Sequence, residues 1–598
     1  MTALRAVGAA APAPPVAART PVDARRAAVA AFASAPGAWG PALSPDGSAV
    51  AYVTDRSGTP RLEVADLAAR RPPAVVSLPD QEVVSVAWSP DGGELAYLVS
   101  PAGSIRAELH RVRPDGTGAR PLAGMDERAT VFPGCWAGPG AYVCSIASGR
   151  DGDADVVLVD TATGGRRTLA RGGFLTVTGR SAGGRTVLAR RGPRGHRHVV
   201  LVDVATGRQT RVLPLGAPGG VASEDGRFTP DGRAVLLRAS LPGPPFADRA
   251  GLVVVPLDDA GRPGEGRVLL TRPDADLDGY ALRADGTLLA VWTVDGVTQL
   301  AVHDGTTGDL VRRVPLPEPV LTGWSPDADG GELLAELTGP TAPRSLWRVP
   351  LSGRDRARRV RLGLARPGSG RSGTRPGPPV PVPPVRYRYL AGDGLPLAGW
   401  LYRPPGVAGR NRTVVSFHGG PEGQERPAWS ALTQCLVSAG LTVLAPDVRG
   451  SCGYGRAFTT RDDRAGRAAS YEDVPATVAA LVADGIAEPG RVGAHGWSYG
   501  GFLALVALTR WPDLFAAGVS IAGMSDLRAF FAGTEPWMAA ASVPEYGDPA
   551  TEADLLAALS PLPLLDRVTA PVLLVHGDRD TNVPVGEWVQ AAAALAAR

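Results

Sequence analysis

Lysine does not occur in the 598 residues, so all 62 basic side chains are arginine. Set against 59 acidic residues they leave a formal net charge of only +3. Nucleic-acid binding would need the arginines gathered into a patch. The one dense basic run, Arg354 to Arg375, adjoins a Pro/Gly-rich stretch and reads as a solvated connector. No run approaches the roughly 18 apolar residues of a membrane span, which argues against a membrane partner. Four cysteines are too few for a disulfide framework in a chain this long. Cys135 and Cys144 flank Gly138-Pro139-Gly140 and could face each other across a hairpin, but buried free thiols are the expected state of all four. Arg25-Arg26 before Ala27 to Ala35 echoes a twin-arginine export signal, yet its apolar part is short and alanine-rich. The expectation is a cytoplasmic protein with a disordered or helical N-terminal arm over 1–36.

What is present is an ordinary globular balance, 44% apolar and 20% charged, in a chain long enough for two or more cores. From about residue 37 a unit recurs: strand, Ser-Pro-Asp-Gly turn, β-rich strand, polar turn, strand. Ser44-Pro45-Asp46-Gly47 and Ser89-Pro90-Asp91-Gly92 are the clearest copies. The closing glycines fall at Gly47, Gly92, Gly140, Gly184, Gly232, Gly286 and Gly330. Such a period, of roughly 40 to 50 residues, suits four-stranded propeller blades, whereas a β-sandwich would turn every 8 to 12 residues. Residues 37–363 therefore read as a seven-bladed β-propeller, the sixth unit carrying an insertion.

The stretch 364–384 ends in Pro378-Pro379-Val380-Pro381-Val382-Pro383-Pro384 and reads as a stiff spacer. Beyond it, over 385–598, continuous apolar strands alternate with helical runs: Thr413 to Phe417, Leu441 to Ala445, Ala517 to Ile521 and Pro571 to Val575 as strands, with an irregular region before the last. That alternation predicts a mainly parallel sheet of α/β type whose site lies at the carboxyl ends of its strands.

Three motifs fall there. His495-Gly496-Trp497-Ser498-Tyr499-Gly500-Gly501 reads as strand, sharp turn and helix, a nucleophile elbow with Ser498 at its apex. With 76 glycines in the chain, a chance match is the alternative. His418-Gly419-Gly420-Pro421 follows a strand and can offer a backbone N–H to an oxyanion, with Tyr499 N–H as the second donor. His418 itself is expected to pack or orient that loop. His576-Gly577-Asp578-Arg579-Asp580-Thr581-Asn582-Val583-Pro584 follows another strand; Asp580 is the better acid, because Asp578 can cap the turn.

These motifs, with Arg449-Gly450-Ser451-Cys452-Gly453-Tyr454-Gly455, resemble those of the prolyl oligopeptidase family of serine peptidases, most closely its dipeptidyl aminopeptidase and acylaminoacyl peptidase branch. The resemblance implies an α/β-hydrolase domain behind the propeller, Ser498 as nucleophile, Asp580 as triad acid, and Gly420 and Tyr499 as oxyanion donors. It implies that Asn582 holds a substrate carbonyl. Phe530 and Phe531 stand as walls of a substrate pocket or as core. Short peptides are the implied substrates, with no metal or cofactor.

One part of the pattern is missing. A serine needs a base, here a histidine oriented by the acid. The seven histidines are His110, His196, His198, His303, His418, His495 and His576, and none follows Asp580. The expectation is a chain cut before the family's last strand and histidine loop, inactive or impaired as it stands. An esterase of the same fold, or a propeller-based binding protein with an inert hydrolase remnant, are the competing functions.

Overall fold

The computed structural model describes residues 21–126, 128–193, 195–213, 222–240, 248–327, 330–352, 355–363 and 380–597. Residues 1–20 of the expected arm and 364–379 of the expected spacer lie outside them.

Seven four-stranded antiparallel sheets, each made from one contiguous stretch, run from Ala38–Leu43 to Arg358–Arg359 and form a seven-bladed β-propeller. The seven glycines of the sequence repeat all adopt positive φ, from 67° to 80°, and each closes the turn between the first two strands of its own sheet. Only glycine takes that conformation without cost. In the first two sheets the turn is fixed by a serine hydroxyl, Ser44 or Ser89, donating to Asp46 or Asp91 at 2.6 Å. The hydroxyls of Ser44 and Ser48 hold the Asp46 carboxyl down to about 2. The extra length expected in the sixth unit belongs instead to the fifth sheet, in the connections Ser240 to Ala250 and Pro256 to Arg267. A turn glycine marks the first hairpin of a blade, so length added after it is charged by spacing to the next unit.

The ring closes without exchange of strands. Ala38, Val50 and Tyr52 of the first sheet share a buried cluster with Leu334 and Leu346 of the seventh. Gly40 N–H donates to Glu336 at 2.9 Å across the same seam. Before the ring, Pro21–Ala33 is a helix whose Phe32 packs edge-on against Trp429 of the C-terminal half, ring centroids 5.8 Å apart.

The C-terminal half is one seven-stranded sheet in the order Val385–Leu390, Pro396–Tyr402, Thr442–Asp447, Asn411–Phe417, Ala487–Trp497, Phe515–Ile521, Val572–Val575. The first two strands are antiparallel to their neighbours and the rest are parallel. This is the expected α/β-hydrolase sheet. The first of these strands escapes the sequence pattern because it is largely exposed and mixed in polarity. The region read as irregular before the last strand holds helices Leu527–Gly533, Pro536–Tyr546 and Ala553–Leu559 and the 3-10 turn Leu562–Arg567. Under the sheet lies the helix Tyr499–Arg510, whose Phe502, Leu503, Leu505, Val506 and Leu508 are at most 1% exposed. Burying each such side chain contributes about 1.5–3 kcal/mol, which anchors the elbow on rigid ground. All four cysteines are free thiols, and no helix among the described residues is long and apolar enough to cross a membrane.

Candidate active site

Sheet register sets the site. Phe417 pairs with Gly496, Trp497 with Ile521, and Ile521 with Val575, so the parallel strands end in one row. The His418 loop, Ser498 and the His576 loop leave that row side by side. One strand separates the elbow from the acid loop, a lateral spacing of about 10 Å.

At the elbow Ser498 has φ 57° and ψ −119°, a conformation that costs a non-glycine residue about 1–3 kcal/mol. Its N–H donates to Ile521 O at 2.8 Å and its carbonyl accepts from Phe502 N–H at 3.0 Å. The flanking glycines are steric requirements. A Cβ on Gly496 would lie 2.2 Å from Gly500, and one on Gly500 would lie 2.1 Å from Phe417 O. The pattern is therefore an elbow and not a chance match of glycines. Tyr499 starts the helix, so its N–H has no partner within that helix. Its ring lies over the Arg467 guanidinium at 5.0 Å. Arg467 in turn pairs with Asp462 at 2.9 Å, both at most 1% exposed. Burial pushes the Asp462 carboxyl up to about 6 in spite of that arginine.

The second loop lies against the elbow: a Cβ on Gly419 would sit 3.7 Å from Ser498 Cβ. His418 Nδ1 is 2.8 Å from Gly419 O and Nε2 is 2.8 Å from Ser451 Oγ, so both ring nitrogens brace the backbone that presents Gly420. The motif Arg449 to Gly455 supports it from below, Arg449 forking onto Asp473 at 2.6 Å and Asp393 at 2.9 Å. Behind the loop, Asp447 accepts Glu425 N–H at 2.7 Å. Burial and then that carboxylate push the Glu425 side chain up to about 8.

Asp580 uses Oδ1 to close its own turn, accepting from Asn582 N–H at 2.9 Å and Val583 N–H at 3.0 Å. Oδ2 is 3.8 Å from His576 Nε2. Asp578 is exposed. Asn582 Oδ1 is buried without a partner, and its backbone carbonyl accepts from Thr534 Oγ1 at 2.6 Å. Phe530 and Phe531 are 3% and 9% exposed within the core cluster of this domain, where Phe530 packs on Tyr546. Both rings therefore belong to the core packing of the domain.

The three histidines of this domain are all engaged elsewhere. His418 braces its loop, His495 Nδ1 is 3.0 Å from Ser416 Oγ, and His576 Nε2 donates to Val583 O at 2.7 Å. No hydrogen bond from a described histidine reaches Ser498. No group of three His, Cys, Asp or Glu side chains among the described residues could hold a metal ion.

Sequence reasoning missed the contacts through which the propeller touches this site. Arg106 Nε of the second sheet donates to Glu535 at 2.8 Å, and Glu535 N–H donates to Thr581 O at 3.2 Å. Trp537 packs against the touching pair Phe132 and Phe174 of the propeller, at 5.2 and 5.9 Å.

Residues 427–598 match the model of the prolyl oligopeptidase family. Among curated relatives, an uncharacterized peptidase, YuxL, of Bacillus subtilis (strain 168) is 28% identical over 332 residues, 51% of this chain and 47% of its own length. Dipeptidyl aminopeptidase BIII of Pseudoxanthomonas mexicana is 32% identical over 190 residues, 31% of this chain and 28% of its own. The chain thus spans less than half the length of these relatives. Among solved structures, a puromycin hydrolase superposes with a TM-score of 0.78 at 21% identity, covering 97% of this chain and 91% of its own. The acylaminoacyl peptidase of Pyrococcus horikoshii does so at 0.67 and 19%, covering 95% and 90%. Those two likenesses show the shared fold.

Proposed function

We propose that this chain, whose residues 427–598 match the prolyl oligopeptidase family, is a member of that family and a serine peptidase that cleaves short peptides by acyl transfer. The observation that carries the reading is Ser498 held at positive φ above the sheet, in one row with the His418 loop and the acid loop. In the proposed reaction Ser498 Oγ attacks the scissile carbonyl carbon and gives its proton to an imidazole oriented by Asp580. The N–H groups of Gly420 and Tyr499 receive the oxyanion, the amine departs with that proton, and water releases the acyl group. Asn582 would hold a substrate carbonyl beside the cut. Phe530 and Phe531 would shape the pocket floor from beneath. We divide the chain as arm 1–36, propeller 37–363, spacer 364–384 and hydrolase 385–598, and place it in the cytoplasm, where four free thiols persist.

Since no described histidine is bonded to Ser498, the 598-residue polypeptide is expected to turn over slowly or not at all unaided. The test is hydrolysis of chromogenic aminoacyl, dipeptidyl and N-acyl peptides, with and without added imidazole. Turnover that imidazole raises and Ser498→Ala abolishes supports the reading. Unaided turnover lost in Ser498→Ala would overturn the expected impairment. Faster cleavage of esters than of matched amides would favour an esterase, and a folded protein inert under every condition would favour a binding protein.

A further inference from the structure

Where the fourth and fifth propeller sheets face the loops of the hydrolase half lies a cavity of about 310 Å³. Its propeller wall carries Arg190, Arg197 and Arg238 with Glu224; Glu422, Gln424, Cys452 and Arg456 stand on the opposite wall. The guanidiniums of Arg190 and Arg197 converge on a single atom, Glu224 Oε2, at 3.3 and 3.0 Å. Arg238 Nε is held by Asp225 at 3.0 Å. On this wall three cations therefore meet two carboxylates. The acids of the neighbouring sixth sheet do not make up the difference, because Asp276 is paired with Arg249 at 3.1 Å and Asp278 with Arg426 at 3.5 Å, and the hydrolase wall adds one charge of each sign, Glu422 and Arg456. The three arginine side chains are only 21–26% exposed, so their mutual repulsion is poorly screened. Burial and then the charge of Arg197 draw the Arg190 guanidinium below the ordinary arginine value even with Glu224 in contact. Across the cavity, Gln424 Nε2 is a buried donor without an acceptor. Gln424 belongs to the loop that begins at His418, whose Gly419 touches the elbow.

We infer that this cavity is a carboxylate subsite that takes the free C-terminus of a peptide bound at Ser498. A carboxylate brings the missing negative charge in the planar form that guanidinium forks receive. The inference rests on the peptidase reading, since a peptide's own C-terminus is the anion such a substrate carries.

The test is binding by the intact 598-residue protein carrying Ser498→Ala, so that catalysis plays no part. Calorimetry would compare acetyl-Ala-Ala-Ala with its C-terminal amide. The acid is expected to bind about tenfold more tightly, as one charge-assisted pair would give. Arg190→Gln with Arg197→Gln should bring the two peptides level. Glu224→Gln, which removes the internal competitor, should widen the preference for the acid, an effect no purely structural role predicts. Melting curves check that each variant is folded; if the double arginine variant is not, the Glu224→Gln result decides. Equal affinity for acid and amide overturns the subsite and leaves the peptide reading standing. Failure of both peptides to bind overturns the two together.

Discussion

Arg106 of the propeller and Glu535 of the hydrolase half meet at 2.8 Å, and Glu535 is 5% exposed. Because Glu535 N–H also holds Thr581 O, the pair ties a propeller blade to the loop of Asp580. Removing Arg106 would leave a nearly buried carboxylate without its cation. Arg106→Ala is expected to cost about 1–2 kcal/mol and to speed amide hydrogen exchange over residues 576–583, read by mass spectrometry. Unchanged exchange there would show that the acid loop is set by the hydrolase half alone.

Ser498→Gly should stabilise the fold while removing the proposed nucleophile. Ser498 sits at φ 57°, and glycine takes that conformation freely. A gain of about 1 kcal/mol in chemical denaturation is expected, together with loss of all labelling by a fluorophosphonate in imidazole buffer. Gly500→Ala is the opposite case, since its Cβ would stand 2.1 Å from Phe417 O and the elbow could not close.

Glu425 makes stability fall with rising pH. Its folded carboxyl is pushed up to about 8, above the 4.5 of an unperturbed glutamate. The folded state therefore binds the proton more tightly than the unfolded chain. The contribution is fully present below about pH 4.5 and is lost as pH rises through about 8. Glu425→Gln should raise the melting temperature at pH 9 and leave it near wild type at pH 5; a shift of equal size at both would exclude titration as the cause.

Trp537 caps the Phe132–Phe174 pair, joining the halves by aromatic contact. Trp537→Ala should cost about 2 kcal/mol of that packing and split thermal unfolding into two transitions by calorimetry. A single transition at a lower temperature would show that the halves still melt as one.

Much of this was legible because certain residues have no substitutes. The repeat was visible through seven glycines that a left-handed turn requires, and the elbow through glycines that touch backbone on every side. The row of loops followed from apolar strands alternating with helices. Other features leave no local trace. Arg106 and Glu535 are 429 positions apart, and nothing near either announces the other. The helix Arg467–Ala483 carries no apolar periodicity in its first turns, because they bury Arg467, Ser470 and Asp473, which periodicity counts as surface. Phe530 and Phe531 could be named but not placed, since an aromatic pair reads alike in a core and in a pocket.

The seam between the first and seventh sheets has a consequence for how the ring could be built. Every blade is one unbroken stretch, and what joins Ala38 and Tyr52 to Leu334 and Leu346 is side-chain packing of the kind found between the other blades. The starting blade is therefore arbitrary. A circular permutant that opens between any two other blades, with a short linker across the present seam, should close into the same ring.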